Sequence, residues 1–468
     1  MTMALHGHTR LELTDVHTGE VRTVEHHNLI TNAVTRIFGT FPELLSGKDK
    51  LYDGTGNLWS RFYGGLLLLD TAVTGDADTL YAPAGADITG TARYGAVNAG
   101  LNTRRGSYNA TESAINYKDK ELRLVYDFTT SQANGTIAAA CLTSCNAAML
   151  GEMPGACAAL ETVVPGEMDS LWGAQMNLFP GTKARCFYEN YGAPILVDLA
   201  TDTVWCARLV LSTGTKALRL YKAGAQLRSI SLLQSAGANR TMGYTLAKEF
   251  DLSGLVQSTY SYTVRVDYDE ESGRLYVVAG GESGYTTMKI LEINMADWSQ
   301  RSYTFTNTLS ETLSTSLHNE GNPSLLNGRV YNGRLYFRTS GGSLYSVPLE
   351  DPTDVTPINT NGLDFYTLFD AHHGRMYSSY GNIVWVLDTA KNEVFCTEMG
   401  ALKCYDTVPL LGGGPLTLRT KTPYNTESRY LCWPCVREPY LGSINNLDSP
   451  VTKTASQTMK VTYTIRES

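Results

Sequence analysis

Five of the eight histidines fall within the first 27 residues: His6, His8, His17, His26 and His27. In His6-Gly7-His8 an extended backbone sets both imidazoles on one face, and in a symmetric oligomer such pairs could converge on a metal. A lone H-x-H lacks the third and fourth ligands that metal geometry demands, so surface or interface histidines are the simpler expectation. His372-His373 stands just before a strand pattern and reads as a turn. Cys432-Trp433-Pro434-Cys435 is a C-x-x-C without the βαβ context of a redox motif and without a second pair for zinc, which predicts buried thiols. Two acidic clusters, Asp267–Ser272 and Leu349–Asp354, are where paired glycosidase carboxylates would have to come from. Both adjoin strand patterns and are expected to be solvated turns. Leu410–Leu416 (LLGGGPL) lacks the Lys-Ser/Thr of a phosphate loop, and no nucleophile elbow or dinucleotide fingerprint is present. No catalytic residue, cofactor or metal is expected.

Tyrosine is the more suggestive residue, at 28 copies against 12 phenylalanines. It offers a flat apolar face and a polar tip, which suits glycan and protein surfaces. Tyr285, Tyr331 and Tyr380 fall at expected loop or rim positions and are the candidate binding residues. The alternative is that tyrosines fill half-buried strand positions.

The elements that must carry these residues are strands. The 468-residue chain holds 43 glycines, only 18% charged residues and a net charge of −8. Excess Tyr, Thr and Gly favours strands and turns, and the negative charge argues against a nucleic-acid partner or an anionic membrane surface. The first fifteen residues show no basic region followed by an apolar run, so no export signal is expected and the nine cysteines should be reduced. Thr9–Asp15 and Val21–His27 read as a hairpin. Val34, Ile37, Phe38 and Phe41 have helical spacing, capped by Thr31 or Asn32 and ended by Gly47. Glu121–Thr130 and Thr136–Leu142 read as strands joined by a turn containing Asn134-Gly135.

A short motif recurs: LRLY at Leu218–Tyr221, GRLY at Gly273–Tyr276, GRLY at Gly333–Tyr336 and GRMY at Gly374–Tyr377. A turn and a second strand follow it, as in Asn332–Leu349. A period of roughly 40–50 residues with four short strands per unit is the signature of propeller blades, since one four-stranded blade cannot bury both its faces alone. The stretch from Met168 to about Glu438 has room for about six blades, with five or seven as the alternatives. At the C-terminus Met459, Val461, Tyr463 and Ile465 alternate with Lys460, Thr462, Thr464 and Arg466, a strand that needs a partner sheet. The expected architecture is all-β. Residues 1–150 form an N-terminal β domain with one short helix, residues 151–438 a β-propeller-like domain, and residues 439–468 a segment returning to the N-terminal domain.

Three stretches, Thr14–Val34, Val125–Thr143 and Ser443–Ile465, resemble a family of tail and baseplate structural proteins from phages and prophages of Gram-positive gut bacteria. The resemblance covers the two ends and is thin in the middle. It implies a virion protein present in many copies, with partners among other tail or baseplate proteins and copies of itself. The divergent centre would then meet the host surface, a glycan or a protein. An architectural role in collar, baseplate or head, or a glycan depolymerase, are the alternatives. No catalytic residue carries over from the resemblance.

Overall fold

The computed structural model describes residues 5–34, 59–98, 102–145, 161–163, 193–198, 203–224, 244–256, 264–269, 271–280, 286–313, 328–363, 371–380, 383–398, 404–408, 417–420, 435–437 and 439–467. The chain is all-β and divides into two compact units. One comprises Met1–Trp172, Ser231–Leu233 and Pro434–Ser468; the other comprises Gly173–Ile230 and Gln234–Trp433.

The first unit is built on one large antiparallel sheet. Its N-terminal strands are β1 (Leu5–Asp15), β2 (Val21–Ile30), β3 (Gly65–Leu69), β4 (Ile88–Arg93), β5 (Ser107–Tyr108), β6 (Ala114–Asn116), β7 (Glu121–Phe128) and β8 (Gly135–Thr143). Two C-terminal strands, Ser443–Lys453 and Gln457–Glu467, enter among them. The order is β4, β3, β8, Ser443–Lys453, β2, β1, Gln457–Glu467, β7, β5, with β6 also on β7. A parallel bridge between Thr91 and Arg105 brings the two edges together and nearly closes the sheet into a barrel. The last strand pairs with β1 from Leu5↔Glu467 to Asp15↔Gln457 and with β7 from Met459↔Phe128 to Arg466↔Glu121.

Its alternation has a direct physical outcome. Met459, Val461, Tyr463 and Ile465 are buried together with Leu11, Leu13, Leu122, Leu124 and Tyr126, while the alternate residues stand on the outer face beside Arg10, Glu12 and Arg123. β3 and β8 do not alternate because both faces are covered. Leu67, Leu69, Ala139 and Cys141 pack with Val73, Ile88 and Ile444 in a second core, and Leu66, Leu68, Ala138, Ala140 and Leu142 are buried too. Burial pushes the Cys141 thiol up to about 12, which leaves it an unreactive packing group.

The expected β7–β8 hairpin does not form. The two strands are present, but β7 pairs with Gln457–Glu467 and β8 with Ser443–Lys453 and β3. The longer C-terminal strands take the ladder positions that a local hairpin would have used. Ala33 and Val34 begin a helical turn, and the remainder of the helix expected there lies outside the described residues. A single helical turn occupies Ser60–Tyr63.

Lys453 is 1% exposed. Its Nζ donates to Asn134 Oδ1 at 2.7 Å and to the Thr130 carbonyl at 3.4 Å. Burial pushes its amine down to about 8 from the ordinary 10.5. Below pH 8 both folded and unfolded chains carry the charge, and the burial penalty is present in full. Between pH 8 and 10.5 the folded chain binds fewer protons, so stability should rise with pH, by at most about 1.4 kcal/mol per unit. The buried Cys141 thiol opposes this over the same range, so the test is the difference in denaturant midpoint between wild type and Lys453→Met, from which Cys141 cancels: it should move in favour of wild type from pH 7.5 to 9.5.

The second unit holds four four-stranded antiparallel sheets in chain order. The first blade is Ala193–Asp198, Thr203–Leu211, Lys216–Gly224 and Thr245–Asp251; the second is Val264–Asp269, Arg274–Gly280, Thr287–Asn294 and Gln300–Thr306. The third is Gly328–Tyr331, Arg334–Arg338, Leu344–Pro348 and Thr356–Pro357; the fourth is Ala371–His372, Arg375–Tyr380, Ile383–Asp388 and Glu393–Glu398. A fifth sheet has the order Cys404–Val408, Thr417–Thr420, Cys435–Arg437, Glu161–Val163. The described residues therefore include five four-stranded sheets, within the five to seven blades that the motif spacing allows, and two strands of the fifth, Cys435–Arg437 and Glu161–Val163, belong to the first unit. Glu161–Val163 pairs with Cys435–Arg437, which ties the segment preceding the first four blades to the segment following them.

The recurring motif explains how the blades stack. In the second, third and fourth blades its glycine, Gly273, Gly333 or Gly374, takes a positive φ of 66°, 69° or 76° in the turn between the first two strands. The two residues before the tyrosine and the tyrosine itself then lie on the second strand. Leu275 packs against Leu218, Leu220 and Phe250 of the preceding blade, whereas Tyr276 packs against Leu335, Phe337 and Val347 of the next. In the third blade Leu335 faces back into that same core, and Tyr336 faces forward to Met376, Leu387 and Val394. Consecutive positions of a strand point to opposite faces, so Leu-Tyr serves two inter-blade cores at once. The arginine reaches across the blade: Arg274 to Glu292 at 2.6 Å, Arg334 to Ser346 at 3.1 Å, Arg375 to Asp388 at 3.8 Å.

Candidate functional site

His6 and His8, weighed as metal candidates against the simpler expectation of surface histidines, lie on the outer face of β1 with Arg10 and Glu12. They share a face, as an extended backbone requires. The tertiary neighbour of His8 is His27, directly opposite on β2, with ring centroids 5.7 Å apart at 70°. Glu25 is 4.0 Å from His8 Nε2. Among the described residues no group of three or more His, Cys, Asp or Glu side chains has metal-binding geometry.

The tyrosine candidates do not assemble into a surface. Tyr331 is corrected outright: it is 3% exposed and sits in the core between the third and fourth blades. Its hydroxyl donates to Glu271 Oε1 at 2.7 Å and accepts from the Gly374 N–H at 2.6 Å, linking the turns of three consecutive blades. Desolvation and the Glu271 hydrogen bond push the phenol well above its ordinary value. Tyr380 ends the strand Arg375–Tyr380, with its side chain outside the described residues, and Tyr285 lies outside them altogether. Tyr63, Tyr126, Tyr276, Tyr377 and Tyr463 are fully buried, so much of the tyrosine content is core.

The first acidic cluster is a solvated turn only at Glu271 and Ser272; its two aspartates lie on the preceding strand and are buried. Asp267 and Asp269 are 3% and 1% exposed. Asp267 Oδ1 accepts from Arg265 Nε at 2.7 Å and lies 3.3 Å from Arg329 Nη1. Asp269 Oδ1 accepts the N–H groups of Glu271 and Ser272, and its Oδ2 accepts that of Asn332. These carboxylates are committed to holding the second and third blades in register. The second cluster does sit on an exposed turn, where Asp351 caps Thr353 and Glu350 pairs with Arg301. His373 occupies a turn as expected, at φ 47° ahead of Gly374. Burial, then the neighbouring Arg375, pushes its imidazole down to about 3 and keeps it neutral. Of the C-x-x-C pair, Cys435 begins the short strand Cys435–Arg437 and Cys432 lies outside the described residues. Cys206 is buried, its thiol pushed up to about 12, whereas Cys396 is exposed.

One surface feature has no counterpart in the sequence reading. Trp205, in the second strand of the first blade, and Trp298, in the last turn of the second, meet edge to face at 5.9 Å. Both rings are half-buried; Trp298 packs at the margin of the core shared by these blades, with Phe250 6.0 Å away. Lys222, paired across the ladder with Trp205, holds its Nζ 5.0 Å over that ring. Such a group can bind through flat apolar rings and one positive charge. The two residues are 93 positions apart in sequence, so only the stacking of two blades brings them together.

No protein-family model matches this sequence, and no curated protein matches it. Solved structures similar in part include a nidogen/laminin complex chain, at 15% identity and a TM-score of 0.25, covering 45% of this chain and 65% of that one. HIRA(644-1017) is similar at 8% identity and a TM-score of 0.22, over 37% of this chain and 55% of the other. The computationally designed Ika8 protein is similar at 8% identity and a TM-score of 0.25, over 53% and 71%.

Proposed function

We propose that the protein is a non-enzymatic virion component of the tail, baseplate or fibre, in which the barrel module anchors the chain to neighbouring virion proteins and the propeller-like domain contacts the host surface. The observation that supports this reading most is the placement of Gln457–Glu467 between β1 and β7. The chain leaves the anchoring module after β8 and comes back to complete it, so the propeller region is an insertion whose surface can diverge without disturbing the anchor. The resemblance of the two chain ends to tail proteins points the same way. Display of many copies on one particle would raise avidity through effective concentration, which lets each single contact be weak.

The test is binding of the labelled full-length chain to host cells, with gold-labelled antibody locating the protein on intact particles. Saturable cell binding and label at the tail end are expected. Label confined to the head or collar, without cell binding, would replace this reading by an architectural one. Release of reducing ends from host wall glycan would replace it by hydrolysis.

A further inference from the structure

Among the described residues, five hairpin loops share one plan. Each starts with Asp or Asn: Asp15, Asn116, Asp269, Asn294 and Asp388. In each, the side-chain oxygen accepts backbone N–H groups two residues on, and in four of the five also three residues on. Each ends with a residue at positive φ: Gly19 (71°), Lys120 (50°), Gly273 (66°), Trp298 (64°) and Asn392 (55°). Glycine and asparagine are at ease there, whereas a bulky side chain crowds its own backbone. Lys120 has an evident reason to occupy the position, because its Nζ lies 3.8 Å from the buried Glu467 carboxylate. Trp298 satisfies no charge. The core beneath it is already bordered by Leu209, Leu211 and Met295, and the matching loop of the fourth blade ends with Asn392. Part of the Trp298 ring packs on that core and on Phe250, 6.0 Å away; the rest reaches solvent beside Trp205, where a flat apolar surface can meet a ligand.

We propose that Trp298 and Trp205, with Lys222 beside them, form a saccharide-contact site for an acidic surface glycan. The apolar C–H face of a pyranose ring would lie on the exposed part of the indoles, whose electron-rich faces attract those slightly positive hydrogens. An acidic substituent would pair with the Lys222 ammonium, 5.0 Å above the Trp205 ring. This rests on the host-surface reading given above and names its contact and the class of sugar.

The test titrates the full-length chain, followed by tryptophan fluorescence and by co-sedimentation, with acidic wall polysaccharide from cells it binds and with a neutral glucan. The wild type should respond to the acidic polymer alone. Trp298→Asn should weaken binding at least about tenfold in a chain that still folds, its melting temperature lowered only modestly because relief of the positive φ offsets part of the packing lost from Phe250 and the core. Trp205→Ala should also lose binding. Equal binding by Trp298→Asn, an equal response to neutral glucan, or both variants melting well below wild type or failing to fold would overturn the site, the last result marking Trp298 as a core plug. Wild-type cell binding that survives Trp298→Asn sinks this inference alone; a wild type that binds neither cells nor wall sinks the host-surface reading with it.

Discussion

A chain ending at Ser456 is expected to lose the barrel entirely. The missing strand is central, paired on both sides over most of its length. Met459, Val461, Tyr463 and Ile465 are each at most 2% exposed, and full burial of such a side chain contributes about 1.5–3 kcal/mol. Four of them together are comparable to the entire stability of a domain, about 5–15 kcal/mol. Their loss would also leave two rows of ladder hydrogen bonds, on β1 and β7, open to water or to aggregation. The single change Tyr463→Ala should cost about 3–5 kcal/mol, and it would also remove the 3.1 Å hydrogen bond between the Tyr463 and Ser443 hydroxyls, leaving Ser443 only its bond to the Leu29 carbonyl. Thr464→Ala, on the outer face of the same strand, should stay within about 0.5 kcal/mol. Limited proteolysis and hydrogen exchange over Leu5–Asp15 and Glu121–Phe128 report the outcome. Native-like protection of those strands in the truncated chain would mean that the C-terminal segment is an accessory rather than part of the barrel.

Arg375→Ala is expected to open the fourth blade. Arg375 and Asp388 are both completely buried, and removing one member of a buried ion pair leaves the other charge uncompensated, at about 3–5 kcal/mol. Asp388 cannot relax outward, because its Oδ1 also accepts the N–H groups of Ala390 and Lys391 in the following loop. This predicts an asymmetric rescue. Arg375→Met with Asp388→Asn should recover much of the loss, since the pair becomes neutral while the asparagine oxygen continues to cap the loop. Arg375→Met with Asp388→Leu should recover less. Because the chain holds two units, a single melting temperature would mix them; hydrogen exchange over Arg375–Glu398 reads the blade itself. Equal destabilisation in the single and double variants would show that the charge pairing matters less than the volume of the arginine.

Several of these features were legible without coordinates because they are local. The alternation from Met459 to Ile465 names a strand with one buried face, and that face is buried. The Gly-Arg-Leu/Met-Tyr repeat names a turn followed by a strand that serves two cores, and the all-β, propeller-like fold follows from that. Its physical basis is the two-residue period of a strand together with the freedom of glycine at positive φ, and neither depends on distant chain. What the sequence left open is pairing. Asn134-Gly135 signals a tight hairpin, yet β7 and β8 separate, because two 11-residue strands more than 300 residues later pair with them instead, Gln457–Glu467 with β7 and Ser443–Lys453 with β8. The burial of Tyr331, Asp267 and Asp269, and the meeting of Trp205 with Trp298, were likewise decided only when sheets stacked face to face. Stacking sets a side chain's surroundings by which blade lies opposite, a relation between residues distant in the chain that no local pattern encodes.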